Sequence, residues 1–315
     1  MADFGLDPQQ RIYIAGHRGL VGSAIWRALE ARGFDDLVGF TSGEVDLTDR
    51  DAAHDALASA RPDVVIDAAA HVGGILANFT HPVDFLHDNL RIQLNLFDAA
   101  HAADVDRLLF LGSSCIYPKF APQPIAESSL LTGPLEPTNQ AYAIAKISGV
   151  LAVQAFREQY GRRWISAMPT NLYGPGDNFD LQTSHVLPAM IRKFDDAKRI
   201  GDPVTLWGTG SPRREFLHTD DVASAVVHVL GAYDEPEPIN IGTGADVTIA
   251  GLAALIADVV GFTGEVVWDT SKPDGTPRKL LDVSRLRTLG WEPQVGLRDG
   301  IAATYAWYLA EVADR

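Results

Sequence analysis

From residue 11 onward, short apolar runs alternate with longer stretches in which apolar positions recur every three or four residues. Runs of four or five apolar residues predict strands, and the longer 3.6-residue period predicts helices. On that basis Arg11–Ala15, Leu37–Phe40, Val64–Ala68, Leu108–Leu111 and Ile165–Met168 read as strands. Leu20–Arg32, Asp49–Ala60 and Tyr142–Tyr160 read as helices, with Asp46 and Thr48 available to cap the second. A longer helix follows Pro82, with Phe85, Leu86, Leu90, Leu94 and Phe97 at helical spacing. Strands alternating with helices of this length predict a parallel sheet with crossovers on both faces.

Past Pro175 the rhythm breaks, and Gly, Pro and Asp cluster between Gly174 and Asp180. The expected fold is α/β, a Rossmann-type doubly wound parallel sheet with a smaller α/β substrate-binding lobe. The division falls near residue 175, giving segments 1–175 and 176–315. A helix over Asp220–Leu230 and a strand over Ile239–Ile241 are expected to return to the first sheet, so that about 220–247 complete it and the lobes interleave. No internal repeat or low-complexity segment is visible.

Composition narrows the partners. The length of 315 residues accommodates two domains at roughly 150 residues each. The formal charge of −15 opposes phosphate backbones, so no nucleic-acid partner is expected, whereas a few local cations suffice for a nucleotide. Cys115 is the only cysteine, which rules out an internal disulfide and fits a reducing cytoplasm. The first ten residues lack the apolar core of a signal peptide. No apolar run approaches the ~18–20 residues of a membrane span, so a soluble protein with no membrane partner is expected.

The first strand runs into Gly16-His17-Arg18-Gly19-Leu20-Val21-Gly22 and then a helix. In this strand–turn–helix setting the first glycine permits a tight turn and the second lets a pyrophosphate approach the backbone. The third lets helix and strand pack closely, and the helix N-terminus faces the phosphates. The bland alternative is a merely structural turn. The second strand ends in Gly39-Phe40-Thr41-Ser42 with no acid before Glu44, which favours NADP(H) over NAD. Arg18 is the candidate for a 2′-phosphate, or else an ordinary solvated side chain.

A second constellation is Tyr142 with Lys146, one helical turn apart. An ammonium beside a phenol lowers the phenol's pKa from about 10 and lets it relay a proton. Such pairs also occur by chance on helix surfaces. Here the preceding strand ends in Gly112-Ser113-Ser114-Cys115, so both segments converge on the carboxyl edge of the sheet. Ser113 can bond the same substrate oxygen as Tyr142. Glycine loop, serine, tyrosine and lysine in this order form the short-chain dehydrogenase signature.

The stretches GHRGLVGSAI, AAAHVGGILAN, LLFLGSSCIYPK, LEPTNQAYAIAK, MPTNLYGPGDNF, REFLHTDD and SKPDGTPRKLLDVSRL go further. From about residue 11 to the C-terminus the chain resembles the GDP-L-fucose synthases of the extended short-chain dehydrogenase/reductase family. The SSCIYP and KPDGTPRKLLD segments separate these from other sugar-nucleotide epimerases and dehydratases. The resemblance implies Ser113, Cys115, Tyr142, Lys146 and His185 as catalytic residues, with Cys115 the base and His185 the acid of an epimerisation. It implies cofactor contacts from the loop 16–22, Ser42, Leu111, Gly112, Ser113, Ser114, Tyr142, Lys146, Pro169, Thr170, Asn171, Leu172 and His185. It places Asn171, Lys193, Trp207, Arg214, Asp274 and Lys279 at a GDP-sugar substrate, and it implies a homodimer.

Two positions depart from the family pattern: Lys193 stands where many relatives carry Arg, and Ser42 where some carry an extra Arg. Without the resemblance, Cys115 reads as a small buried hydrophobe and His185 as one of nine histidines. His17 reads as structural or near the cofactor, and His71, His81, His87 and His101 as packing or surface residues. No His/Cys/Asp cluster has metal-ligand spacing, so no metal is expected. The alternatives are a 4-epimerase or 4,6-dehydratase on the same scaffold, and a non-catalytic dinucleotide sensor.

Overall fold

In the computed structural model of the chain, which describes residues 6–272 and 274–313, the apolar runs of the first half become strands buried on both faces. Residues 1–5 of the N-terminal stretch and Pro273 of the Lys-Pro-Asp-Gly segment lie outside the described residues. The order is β1 (Ile12–Ala15), α1 (Leu20–Glu30), β2 (Leu37–Val38), α2 (Arg50–Ala60), β3 (Val64–Asp67), α3 (Ile75–Thr80), α4 (Pro82–Ala102), β4 (Arg107–Leu111), α5 (Gln140–Tyr160) and β5 (Ile165–Pro169). There follow β6 (Asn171–Tyr173), α6 (Val186–Ile200), β7 (Val204–Trp207), β8 (Arg213–Arg214), β9 (Phe216–His218), α7 (Thr219–Ala232) and β10 (Ile239–Ile241). The chain continues through β11 (Val247–Thr248), α8 (Ile249–Val260), β12 (Val266–Asp269), β13 (Arg278–Lys279), α9 (Ser284–Thr288) and α10 (Leu297–Glu311).

The main sheet has six parallel strands in the order β10-β5-β4-β3-β1-β2, the doubly wound α/β class that the sequence pattern predicts. The order reverses between β1 and β3, which opens a crevice at their carboxyl ends. Side chains alternate across the sheet as the strand period requires. Ile12 and Ile14 join a core with α1 and α7, while Tyr13 and Ala15 face α2, α4 and α5. A third apolar cluster unites α6, α8 and α10 with β7 and β9. Smaller sheets, β11-β8-β13, β12-β7 and β6-β9, lie beyond the main one. Among the described residues no helix is long and apolar enough to cross a membrane.

Two local expectations need correcting. The cap of α2 is Asp49, whose carboxylate accepts the Ala52 N–H at 2.9 Å. Asp46 instead binds Thr48, because a carboxylate two residues ahead closes an Asx turn before the helix starts. On α4, Phe85 and Phe97 are buried but Leu94 points outward, 45% exposed. Asn89 and Gln93 take the inner positions between them. Their amides are tolerated there because Asn89 bonds His71 and Phe85 backbone, and Gln93 donates to the Ala145 carbonyl at 2.7 Å.

Glu215 ties the sheet edge to the later segments. It is fully buried and accepts from the Gly244 N–H at 2.7 Å, the Leu281 N–H at 3.0 Å and the Thr243 hydroxyl at 3.2 Å. Its backbone carbonyl takes the Asn171 amide at 2.7 Å. Glu215→Ala strips the acceptor from one buried and two half-buried donors, a buried one worth about 1–3 kcal/mol. We expect a loss of at least ~3 kcal/mol, read as a lower urea midpoint. A midpoint equal to the parent's would show that these bonds are dispensable.

Candidate active site

The glycine loop is built as its spacing predicts. Gly16 has φ +75°, a left-handed conformation, and a Cβ there would lie 2.8 Å from the Ala68 carbonyl oxygen. A Cβ on Gly22 would lie 2.1 Å from the Gly16 carbonyl oxygen, so α1 can press on the loop only through a glycine. Gly19 is the N-cap of α1 and supplies no side-chain cap. The first N–H groups of the helix are therefore left for an anion.

The imidazole of His17 packs between the Gly39 backbone and the Trp26 ring, whose centroid is 5.4 Å away. That contact walls the loop against the end of β2. Arg18 is exposed at the loop. Ser42 is exposed in the turn after β2, where Glu44 folds back to accept from the Thr41 N–H and hydroxyl, both at 2.7 Å.

Across the crevice, β4 ends at Leu111 and the chain passes Gly112 into a short 3₁₀ turn, Ser114–Ile116. Ser113 caps that turn by accepting the Cys115 N–H at 3.2 Å. Its hydroxyl lies beside the side chains of Tyr142 and Cys115 and acts to lower the pKa of both. Tyr142 and Lys146 rise from the first two turns of α5, as their spacing predicts. Lys146 is buried and donates to the Leu111 carbonyl at 2.9 Å, with its ammonium 4.7 Å from the Phe110 ring centroid.

The electrostatics of this group differ from expectation. Burial brings the Lys146 ammonium down to about 8, against the opposing pull of Asp67. Asp67, fully buried at the end of β3, is pushed up to about 6 by burial, against Lys146 and the Ala69 N–H. The Tyr142 phenol is raised above its ordinary value, not lowered. Burial is the main cause and the adjacent Cys115 adds to it, while only the Ser113 hydrogen bond acts the other way. The Lys146 ammonium is engaged by the Leu111 carbonyl and the Asp67 charge, and it is not among the groups that lower the phenol. The Tyr142 phenol thus keeps its proton.

Cys115 is half-buried, and its sulfur accepts from Asn139 Nδ2 at 3.2 Å and Lys279 Nζ at 3.4 Å. Burial pushes the thiol up. The Lys279 charge and the hydrogen bonds from Ser113, Lys279 and Asn139 more than offset it, leaving the pKa below the ordinary thiol value. Sequence reading missed Asn139; the signal was its place three residues before Tyr142, in the 3₁₀ turn Pro137–Asn139. It also read Lys279 with the substrate-end residues, whereas the structure brings that ammonium to the cysteine.

His185 is the N-cap residue of α6. Its side chain keeps solvent contact, yet the surrounding protein desolvates the imidazole and lowers its pKa, and the Lys279 charge adds to this. The loop before it is pinned by the Gly74 N–H donating to the Thr183 carbonyl at 2.8 Å. A Cβ at Gly74 would lie 2.6 Å from the Ser184 carbonyl oxygen, so Gly74 is what lets the histidine loop approach.

The remaining predicted residues sit on the later elements, from the end of β5 to β13. Pro169 ends β5, Thr170 is buried with its N–H on the Ile241 carbonyl, and Asn171 and Leu172 open β6. Arg214 and Lys279 stand in register on the parallel strands β8 and β13. Lys193 on α6 donates to the Thr205 carbonyl at 3.2 Å, and burial lowers its pKa. Trp207 at the end of β7 is 60% exposed, with the Lys272 ammonium 5.6 Å from its ring centroid. Both Asp274 carboxylate oxygens are engaged by Thr209, on its N–H at 2.7 Å and its hydroxyl at 2.9 Å. Asp274 thereby fixes the turn after Trp207. Among the described residues no group of three or more metal-ligating side chains forms.

Comparison with known proteins follows the same lines. Residues 12–242 match the model of the NAD dependent epimerase/dehydratase family. The chain is 57% identical over 310 residues to GDP-L-fucose synthase 1 of Arabidopsis thaliana, covering 98% of this chain and 96% of the relative. It is 56% identical over 311 residues to GDP-L-fucose synthase of Escherichia coli (strain K12), covering 96% and 97% respectively. Its fold is similar to the NADP-bound crystal structure of a GDP-L-fucose synthetase from Naegleria fowleri, with TM-score 0.91, 30% identity and coverage of 100% and 99%.

Proposed function

The chain belongs to the NAD dependent epimerase/dehydratase family, and within it we propose the reaction of a GDP-L-fucose synthase: 3,5-epimerisation of GDP-4-keto-6-deoxy-D-mannose, then NADPH-dependent reduction at C4. The observation that carries this reading is the convergence of Ser113, Cys115 and Tyr142 at one point of the crevice, where one ketone oxygen serves both steps.

The chemistry follows from the residues. A proton on C3 or C5 is acidified by the neighbouring C4 ketone, because its loss forms an enolate whose oxygen needs hydrogen-bond donors. Ser113 and Tyr142 supply them. The Cys115 thiolate takes the proton on one face of the sugar, and His185 returns one on the other. NADPH, when bound, supplies the hydride for C4. Tyr142 then gives its proton to the new alkoxide, a task suited to a phenol held protonated, and Lys146 fixes the floor beneath it from the Leu111 carbonyl. The cofactor phosphates would fit the cradle of Gly16, Gly19 and Gly22 at the uncapped head of α1, and Arg18, exposed in the same loop, would meet a 2′-phosphate. Arg214 and Lys193 suit a diphosphate, and the exposed Trp207 a flat base.

The outer faces of α4 and α5 support a homodimer. Leu94, Ile144 and Leu151 are 45%, 40% and 43% exposed on these adjoining helices, and apolar side chains so placed favour a second copy. The single cysteine, left unpaired as a thiol, supports a cytoplasmic setting.

The direct test supplies GDP-4-keto-6-deoxy-mannose and NADPH and follows loss of NADPH absorbance together with product stereochemistry. Folded protein that leaves NADPH untouched would refute the reading. A cofactor prediction accompanies it. In Gly22→Ala the new methyl group collides with the Gly16 carbonyl, so the loop must move away from α1. NADPH affinity should fall at least ~10-fold, about 1.4 kcal/mol, by fluorescence titration. Unchanged affinity would place the dinucleotide elsewhere.

A further inference from the structure

Two side chains that the sequence did not connect to the cysteine meet at its sulfur. Asn139 comes from the 3₁₀ turn ahead of α5 and Lys279 from the end of β13, 24 and 164 residues away from Cys115. Each aims an N–H group at Sγ, at 3.2 Å and 3.4 Å. An ammonium has no lone pair, and an amide nitrogen accepts nothing, so neither atom can receive an S–H proton. The arrangement suits a sulfur that has lost its proton. The oxygen of the same amide, Asn139 Oδ1, is shut away from solvent with no hydrogen-bond partner among the described residues. A buried amide oxygen left unpaired is costly, which argues for a purpose beyond packing.

We propose that Asn139 and Lys279 are further catalytic residues that cradle the Cys115 sulfur, the lysine as its counter-charge and the amide fixing its direction. The proposal rests on Cys115 as the base of the epimerisation. In that step the sulfur lone pair takes the proton from C3 or C5, and the C–H electron pair moves into the enolate. The thiolate becomes a neutral thiol, and the negative charge passes from beside Lys279 to the oxygen held by Ser113 and Tyr142. His185 delivers a proton to carbon from the other face, and solvent restores both groups. The titratable side chains around the sulfur are Lys279 on β13 and Tyr142 on α5, with His185 at the head of α6 beyond the lysine. One cation therefore acts on both proton-transfer groups, favouring the thiolate and making the protonated imidazole the stronger acid.

The test uses the full-length protein and exploits its single cysteine. Alkylation by iodoacetamide, followed by mass across a pH series, reports the thiolate of Cys115 alone. Lys279→Met should move the profile to higher pH and slow alkylation at neutral pH roughly tenfold. Lys279→Arg should largely restore it, and Asn139→Ala should move it in the same direction by less. In Lys279→Met, C3 and C5 exchange in D₂O should fall in kcat and not only through KM. If Lys279 served the substrate phosphates alone, KM would rise while the alkylation profile stayed in place, and the proposal would be overturned. Should Lys279→Met fail to fold, Lys279→Gln read against Lys279→Arg makes the same comparison: coincident profiles refute the cradle. Exchange surviving in Cys115→Ser would instead sink the base assignment itself, whatever the alkylation profiles show.

Discussion

Cys115→Ser is expected to abolish deuterium uptake at C3 and C5 of the 4-keto sugar in D₂O, by a factor on the order of 10³ or more. Serine keeps the position, the half-buried setting and the contact with Ser113, so the fold and NADPH binding should survive. What it loses is the ionisable proton acceptor. The surroundings bring the Cys115 thiol below its ordinary value, with Lys279 and Asn139 against the sulfur. The same neighbours cannot bring an alcohol into the physiological range. The measurement is NMR of substrate incubated with the variant in D₂O, without reductant. Incorporation at the parent rate would transfer the base role to another group.

Tyr142→Phe is expected to separate the two halves of the reaction. Hydride transfer to C4 should slow by a factor of ~10²–10⁴, the usual worth of a positioned general acid. Exchange at C3 and C5 should persist at a reduced rate, because Ser113 still offers one donor to the enolate oxygen. Burial and the Cys115 charge hold the Tyr142 phenol above its ordinary value, so in the parent it stays protonated throughout the physiological pH range. The reductive step therefore should not decline through that range for want of the phenol's proton. Single-turnover NADPH oxidation in parallel with NMR exchange distinguishes the steps. Equal losses in both would mean that Tyr142 serves only as an oxyanion donor.

Much of this scaffold was legible before any coordinates. The four-residue apolar runs of β1 and β3 are buried on both faces, and Gly16 and Gly22 have the tight turn and the close helix–loop packing expected of them. The α4 stripe was less legible. Helical periodicity identifies an apolar side but does not say that Asn89 and Gln93 can be buried, since their acceptors lie on other segments. The expected caps of α2, Asp46 and Thr48, gave way to Asp49 for a local reason: these three oxygen-bearing side chains stand close together ahead of the helix.

The chain by itself determined the doubly wound class, the glycine cradle and the candidate Ser113, Tyr142 and Lys146. Each depends on local period or on spacing within one strand–turn–helix unit, and such features are written along the sequence. Tertiary structure decided the charge state of the site. It set the Lys146 ammonium between Leu111 and Asp67, leaving the Tyr142 phenol raised. It also carried Lys279 across 164 residues to the cysteine sulfur. A pKa depends on distances of a few ångströms between segments remote in the chain, and on the water excluded around them. Neither has a period or a spacing from which a sequence could be read.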